Sequence, residues 1–186
     1  MKKFELTTES ITNAAGKKLF RIKALVEFGD VKAGELGGYV EKEGNVSQDG
    51  NAWVYGNAWV SGDARVCGDA RVYGNARVFG NARVSGDAWV SGDAWVYGNA
   101  RVCGDAWVSG DADYTLIQGF GTEFRCTTFY RGKNKKIMVN CGCFHGDLEG
   151  FRKQVKETRS GKIAKEYLMI ADLMEYHFAS EDSDDE

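Results

Sequence analysis

The chain has 186 residues, with 24 Lys and Arg against 27 Asp and Glu, and no proline. That length suffices for one domain with a core and a small second lobe, and a net charge of −3 gives no strong nucleic-acid signal. Five cysteines, an odd count without framework spacing, suit a reducing compartment. Lys2-Lys3-Phe4-Glu5 is not the start of a secretory leader and no apolar run reaches membrane-spanning length, so a cytoplasmic setting with no membrane partner is expected.

In chain order, residues 1–43 read as an N-terminal hairpin and a lead-in. Strands are expected at Lys3–Thr8 and Lys18–Val26, with Thr12–Gly16 as the turn region between them. The hairpin is expected to cap the first coil of the repeat at 44–113, because a terminal coil otherwise leaves its strand edges open. Asp30 to Glu43 then leads in, with Tyr39-Val40 as an irregular first rung.

Residues 44–113 repeat with a period of six. Gly recurs at every sixth position from Gly44 to Gly110, and Asn or Asp always follows it. Ala fills the next slot from Ala52 to Ala112, and Val stands two residues after Ala from Val54 to Val108. Ala-x-Val puts two apolar side chains on one face of a short strand, because strand side chains alternate. Gly accepts positive φ, and Asn and Asp tolerate it better than other residues, so the Gly-Asn/Asp pair reads as the corner. A period of six does not fit a helix, and it points to a β-solenoid.

The Ala-x-Val-x-Gly-Asn/Asp unit resembles the hexapeptide repeat of left-handed parallel β-helices, in which three hexapeptides make one triangular coil. The stretch from Phe28 to Gly50 is similar to the start of bacterial and phage (prophage-type) proteins with such repeats. The resemblance implies a mainly-β chain: a left-handed parallel β-helix of about four coils with an N-terminal β-hairpin cap and a small C-terminal α+β lobe. It also implies a homo-oligomer, with a trimer favoured. One departure is that acyltransferase versions often place Gly directly after the inward aliphatic residue, whereas here it stands two places later.

With eighteen residues per coil, as that resemblance implies, outward residues form columns. Trp53, Arg71, Trp89 and Trp107 share one side, with Tyr55 and Tyr73 beside them. Trp59, Arg77, Trp95 and Asp113 share the second, beside Phe79 and Tyr97. Arg65, Arg83 and Arg101 form the third, flanked by Cys67, Ser85 and Cys103. Outward Trp in successive coils marks a contact surface, a stack of aromatics with Arg between them, or a ligand site in which rings stack on a base and Arg takes phosphate. The corner aspartates need no calcium, since turn chemistry accounts for them.

Residues 114–178 read as a β-β-β-α-α lobe closing the C-terminal end of the solenoid. The strands run Tyr114–Gly121, Phe124–Arg131 and Lys136–Phe144, with a turn at Gly132-Lys-Asn. Asp147 is an N-cap for a helix with Leu148, Phe151 and Val155 on one face. Ser160-Gly161 breaks it before a second helix, about Lys162–Phe178, with Ile163, Tyr167, Ile170 and Met174 at helical spacing. Residues 179–186 read as an acidic disordered tail.

Cys141, Cys143 and His145 read as candidate ligands on one strand face, with Cys126 alongside, but they lack paired C-x-x-C spacing and no metal is expected. The repeats contain no His, which argues against an acyltransferase base or a three-His zinc site within them. His145 remains the one weak catalytic candidate. No P-loop, dinucleotide fingerprint or Ser-His-Asp set is present, so no cofactor is expected. The leading expectation is a non-catalytic, oligomeric binding protein that takes a small anionic nucleotide, as a sponge for a host immune signal would. The alternatives are a structural assembly protein and an acyltransferase using coenzyme A.

Overall fold

The computed structural model describes residues 2–179. It divides into two compact units, Met1–Ala112 and Asp113–Glu186. The acidic tail expected at 179–186 lies, apart from Ala179, outside the described residues.

The first unit opens with β1 (Phe4–Thr12), β2 (Lys18–Ala24) and β3 (Leu36–Val40). Ten two-residue strands come next, β4 to β13, at Trp53–Val54, Trp59–Val60, Arg65–Val66, Arg71–Val72, Arg77–Val78, Arg83–Val84, Trp89–Val90, Trp95–Val96, Arg101–Val102 and Trp107–Val108. Each pairs in parallel with the strand eighteen residues away, as in Trp89 with Arg71 and Arg101 with Arg83. Three sheets result: β13-β10-β7-β4, β12-β9-β6, and β11-β8-β5 continued by β3, β2 and β1. This is a mainly-β solenoid of stacked, three-sided coils.

The core arises from the alternation. Every repeat Ala from Ala52 to Ala106 and every Val from Val54 to Val108 is buried. Backbone amides of each coil donate to carbonyls of the next, as in Arg83 N to Ala100 O at 2.9 Å. The corners differ from the expectation in one respect. Positive φ is confined to Gly, between 57° and 72° from Gly50 to Gly104, and the following Asn or Asp does not share it. Those polar residues bond along the stack instead: Asn75 Nδ2 donates to Asp93 Oδ1 at 3.0 Å, and Asn81 Nδ2 to Asn99 Oδ1 at 3.2 Å.

Because amides point toward the following coil, the first coil has open carbonyls. Its three sides are closed by three devices, whereas the hairpin alone was expected to cap them. On one side β3 supplies strand amides, Tyr39 N to Ala58 O and Glu41 N to Val60 O. The hairpin then extends that same sheet through β2 pairing with β3. On the second side Asn45 Nδ2 donates to Gly62 O and Ala64 O at 3.1 and 2.9 Å. On the third, Lys3 Nζ donates to Gly50 O and Ala52 O at 3.2 and 2.9 Å, under the Phe28 ring.

Lys3 is almost wholly buried. Burial lowers its amine to about 8, against the opposing pull of Asp49 and Asp69. An unfolded lysine keeps its proton to about 10.5. Between those values the folded chain binds fewer protons than the unfolded one, so this group adds stability as pH rises through the window. The neutral amine keeps two N–H groups, one for each carbonyl. We therefore expect the thermal midpoint of the native chain to climb between about pH 8 and about pH 10 relative to Lys3→Met. Parallel pH profiles for the two proteins would contradict this.

The second unit is an antiparallel sheet, β14 (Tyr114–Phe120), β15 (Arg125–Arg131), β16 (Ile137–Cys141) and β17 (Phe144–Asp147), in that spatial order. The third expected strand is thus two, broken at Gly142, whose φ is 61°. Helices α1 (Leu148–Thr158) and α2 (Gly161–His177) pack on one face, with Phe129, Val139, Phe151, Val155, Ile170 and Met174 in the core. Asp147 caps α1 as expected, accepting from Gly150 N at 2.8 Å. Among the described residues no helix is long and apolar enough to cross a membrane.

Candidate ligand-binding groove

The three outward columns stand as three differently furnished faces. On the first, Trp53 is fully buried and not available to a ligand or partner. Phe4 and Phe28 pack edge-on against it at 5.8 and 5.3 Å, because β1 and the lead-in cover that end of the face. Its Nε1 has no hydrogen-bond partner, so ring packing alone holds it. Arg71 is occupied too: its guanidinium meets Asp30 Oδ2 at 3.0 Å, and the Tyr55 hydroxyl donates to the same carboxylate. Tyr55 and Tyr73 stack at 4.4 Å. Only Trp89 and Trp107, at 42% and 44% exposure, remain open on this face.

The third face carries Arg65, Arg83 and Arg101, all exposed, with Arg65 opposite Arg83 and Arg83 opposite Arg101. Cys67 and Cys103 beside them form no disulfide. The nearby Asp63 carboxyl is already held by Lys42 at 2.7 Å, which holds its pKa below the usual carboxylate range.

The second face is different in kind. The turn between β1 and β2 lies beside it and encloses a groove of about 550 Å³. That volume falls within the usual range for a bound small molecule. Its floor is Trp59, Arg77, Phe79 and Trp95, and its wall is Ile11 to Ala15 with Lys17. A register break between Leu6 and Ser10 marks the β1–β2 pairing, and such irregularities bend a hairpin. The turn itself is set by Asn13, whose Oδ1 accepts from Ala15 N and Lys17 N, both at 3.0 Å.

Arg77 lies between two indoles, 4.7 Å from the Trp95 ring and 5.7 Å from the Trp59 ring. Phe79 stacks on Tyr97 at 5.4 Å and supports the floor. No carboxylate pairs with Arg77 among the described residues. Lys17, by contrast, is paired with Glu41 at 3.0 Å. Hydrogen bonds from the Gly62 amide, and then from Lys17, hold the Glu41 carboxyl below the usual range. The groove therefore presents one unneutralised, oriented guanidinium among flat apolar rings. Asp113, expected as the last member of this column, lies in a 3-10 turn, Asp111–Asp113, and pairs with Arg131 at 3.2 Å.

The cysteine and histidine candidates are not brought together. Thr127, Cys141 and Phe144 are paired across the sheet, while Asn140 is paired with His145, so Cys141 and His145 point to opposite faces. Cys143 lies in the turn that the expected single strand hid. His145 Nε2 is 3.0 Å from the Tyr130 hydroxyl, and Cys141 Sγ accepts from Thr127 Oγ1 at 3.1 Å. Cys126 lies on β15, one residue before Thr127 and therefore on the opposite face from Cys141. Among the described residues no group of three or more metal-ligating side chains is present.

Coils paired eighteen residues apart, with small apolar residues inside and Gly at each corner, define a repeat β-solenoid protein. Residues 64–78, 76–92 and 94–110 match the family model described as the YdcK beta solenoid repeat. The match lies wholly inside the repeat, so the chain is similar to that family in its coils. No curated protein matches the chain.

Proposed function

We propose that this protein is a non-catalytic binding protein whose solenoid groove captures a small anionic aromatic molecule, of which a nucleotide is the type. The observation that carries the reading is Arg77, fixed between Trp59 and Trp95 without a carboxylate partner. A guanidinium so placed offers its N–H edge to a phosphate while the rings offer stacking surface. The finer resemblance, to left-handed prophage-type repeat proteins, supports a host cytoplasm as the setting, and sequestering a nucleotide immune signal there is the use proposed. The test is a nucleotide panel, cyclic and linear, followed by isothermal titration of hits. Arg77→Gln is expected to weaken binding about ten- to a hundredfold, the value of one charge-assisted hydrogen bond. The matching nucleoside, lacking phosphate, is expected to fail. Full retention in Arg77→Gln, or an empty panel, counts against the reading.

A second reading is assembly of copies through the first face, favoured by the exposure of Trp89 and Trp107 outside the groove. A homo-oligomer, with a trimer favoured by the resemblance, is its form. It is compatible with ligand capture.

A further inference from the structure

The C-terminal unit holds a cavity of its own, of about 230 Å³. It opens between the β14–β15 turn, the β16–β17 turn and the end of α1. We infer that this cavity is a binding site for a small anion with a compact apolar body, a carboxylate or phosphate carried on a single ring. The inference is independent of the groove.

The inner wall is apolar and preformed. Phe144 and Phe151 stand 5.6 Å apart, and Phe151 meets Tyr167 edge-on at 5.8 Å. The rim carries two guanidiniums and one carboxylate, that of Glu123, and so a net positive charge. Arg125 and Arg159 both line the cavity. The nearest carboxylate to Arg125 is Glu123, at 3.9 Å with both side chains about half exposed, a separation that neutralises little. The Arg159 guanidinium donates to the Thr158 carbonyl at 3.2 Å and has no carboxylate partner among the described residues. Both guanidiniums act on the Tyr167 hydroxyl: its acidity is weakened by burial and by Cys141, while Arg159 and Arg125 pull the other way. Two cations thus converge on one small opening.

Two turn glycines make room for this arrangement. A Cβ on Gly142 would stand 2.6 Å from Arg125 Nη1, and one on Gly121 would meet the Tyr167 hydroxyl. Both have positive φ, so an ordinary side chain would disturb the turn and the cavity wall together. The volume matches roughly eight water-sized groups and falls below the range of drug-sized pockets. A single ring with one anionic head fits that size; a nucleotide does not.

The test is calorimetric titration of the full chain with phenyl phosphate and with phenylacetate, using inorganic phosphate as the ringless control. At least one ring-bearing anion is expected to bind one-to-one and at least tenfold more tightly than inorganic phosphate, and the tighter of the two names the head group. The double variant Arg125→Gln, Arg159→Gln is expected to lose at least tenfold, with an unchanged circular-dichroism spectrum because both residues are exposed. Gln154→Trp, at an exposed wall position, gives a second route by filling the cavity. Arg77→Gln is expected to leave this binding intact. The inference is overturned if neither ring anion binds, if the ringless control binds equally well, or if Arg77→Gln abolishes binding while the double variant keeps it.

Discussion

Val84→Asp is expected to unfold the solenoid, whereas Arg83→Glu, one residue away, is expected to leave it folded. Val84 is fully buried between the corresponding valines of the neighbouring coils, Val66 and Val102. A carboxylate there has no partner, and an unpaired buried charge destabilises by more than about 4 kcal/mol. Each coil is held by its neighbours, so the damage spreads along the stack. Arg83 points outward and is exposed, so its replacement changes stability by about 0.5 kcal/mol or less. Circular dichroism on heating checks both. A cooperative transition in Val84→Asp near that of the native chain would contradict the account of the core.

Asn45→Ala is expected to cost about 3 kcal/mol, the sum of one buried and two partly buried hydrogen bonds lost at once. Asn45 is fully buried; its amide donates to Gly62 O and Ala64 O, and its Oδ1 accepts from Lys42 N at 2.9 Å. Removing the side chain leaves an amide and two carbonyls without partners at the start of the stack. Native-state hydrogen exchange is the measurement, with Ser47 and its bond to Val66 O as the reporter. Ser47 is expected to lose protection while Ser85, in an inner coil, keeps most of its own. Asn45→Asp keeps the acceptor but sets a buried carboxylate against two carbonyl oxygens, and is expected to cost at least as much as Asn45→Ala.

The interior of the repeat was legible because one strict pattern decided it. Ala-x-Val fixed which side chains turn inward, and the Gly spacing fixed where each strand ends. The surroundings of the coils were not legible, because they depend on partners distant in sequence. Trp53 occupies the same slot as Trp89, yet Phe4 and Phe28 bury the one while the other stays 42% exposed. The groove wall, Ile11 to Ala15, belongs to a turn whose place is set by β2 pairing with β3, a pairing that no local pattern announces. Asp30, the partner of Arg71, is hidden for the same reason. In the C-terminal unit a signal was present and underused. Gly142 between two cysteines marks the hairpin that sends Cys141 and His145 to opposite sides of the sheet.

The eighteen-residue pairing sets a rule for how such a chain changes length. Loss or gain of one hexapeptide turns everything after it by one side of the triangle; after a gain Arg101 would stand in line with Trp53 and Trp89, and Trp95 with Arg65 and Arg83. The inward Ala and Val would survive that change, and the surface chemistry would not. Loss or gain of three hexapeptides returns each side chain to its own column and leaves Lys3, Asn45 and the hairpin at the same end. The core therefore counts in sixes while the surface counts in eighteens, and repeat number is free to drift in whole turns without disturbing the role of each face.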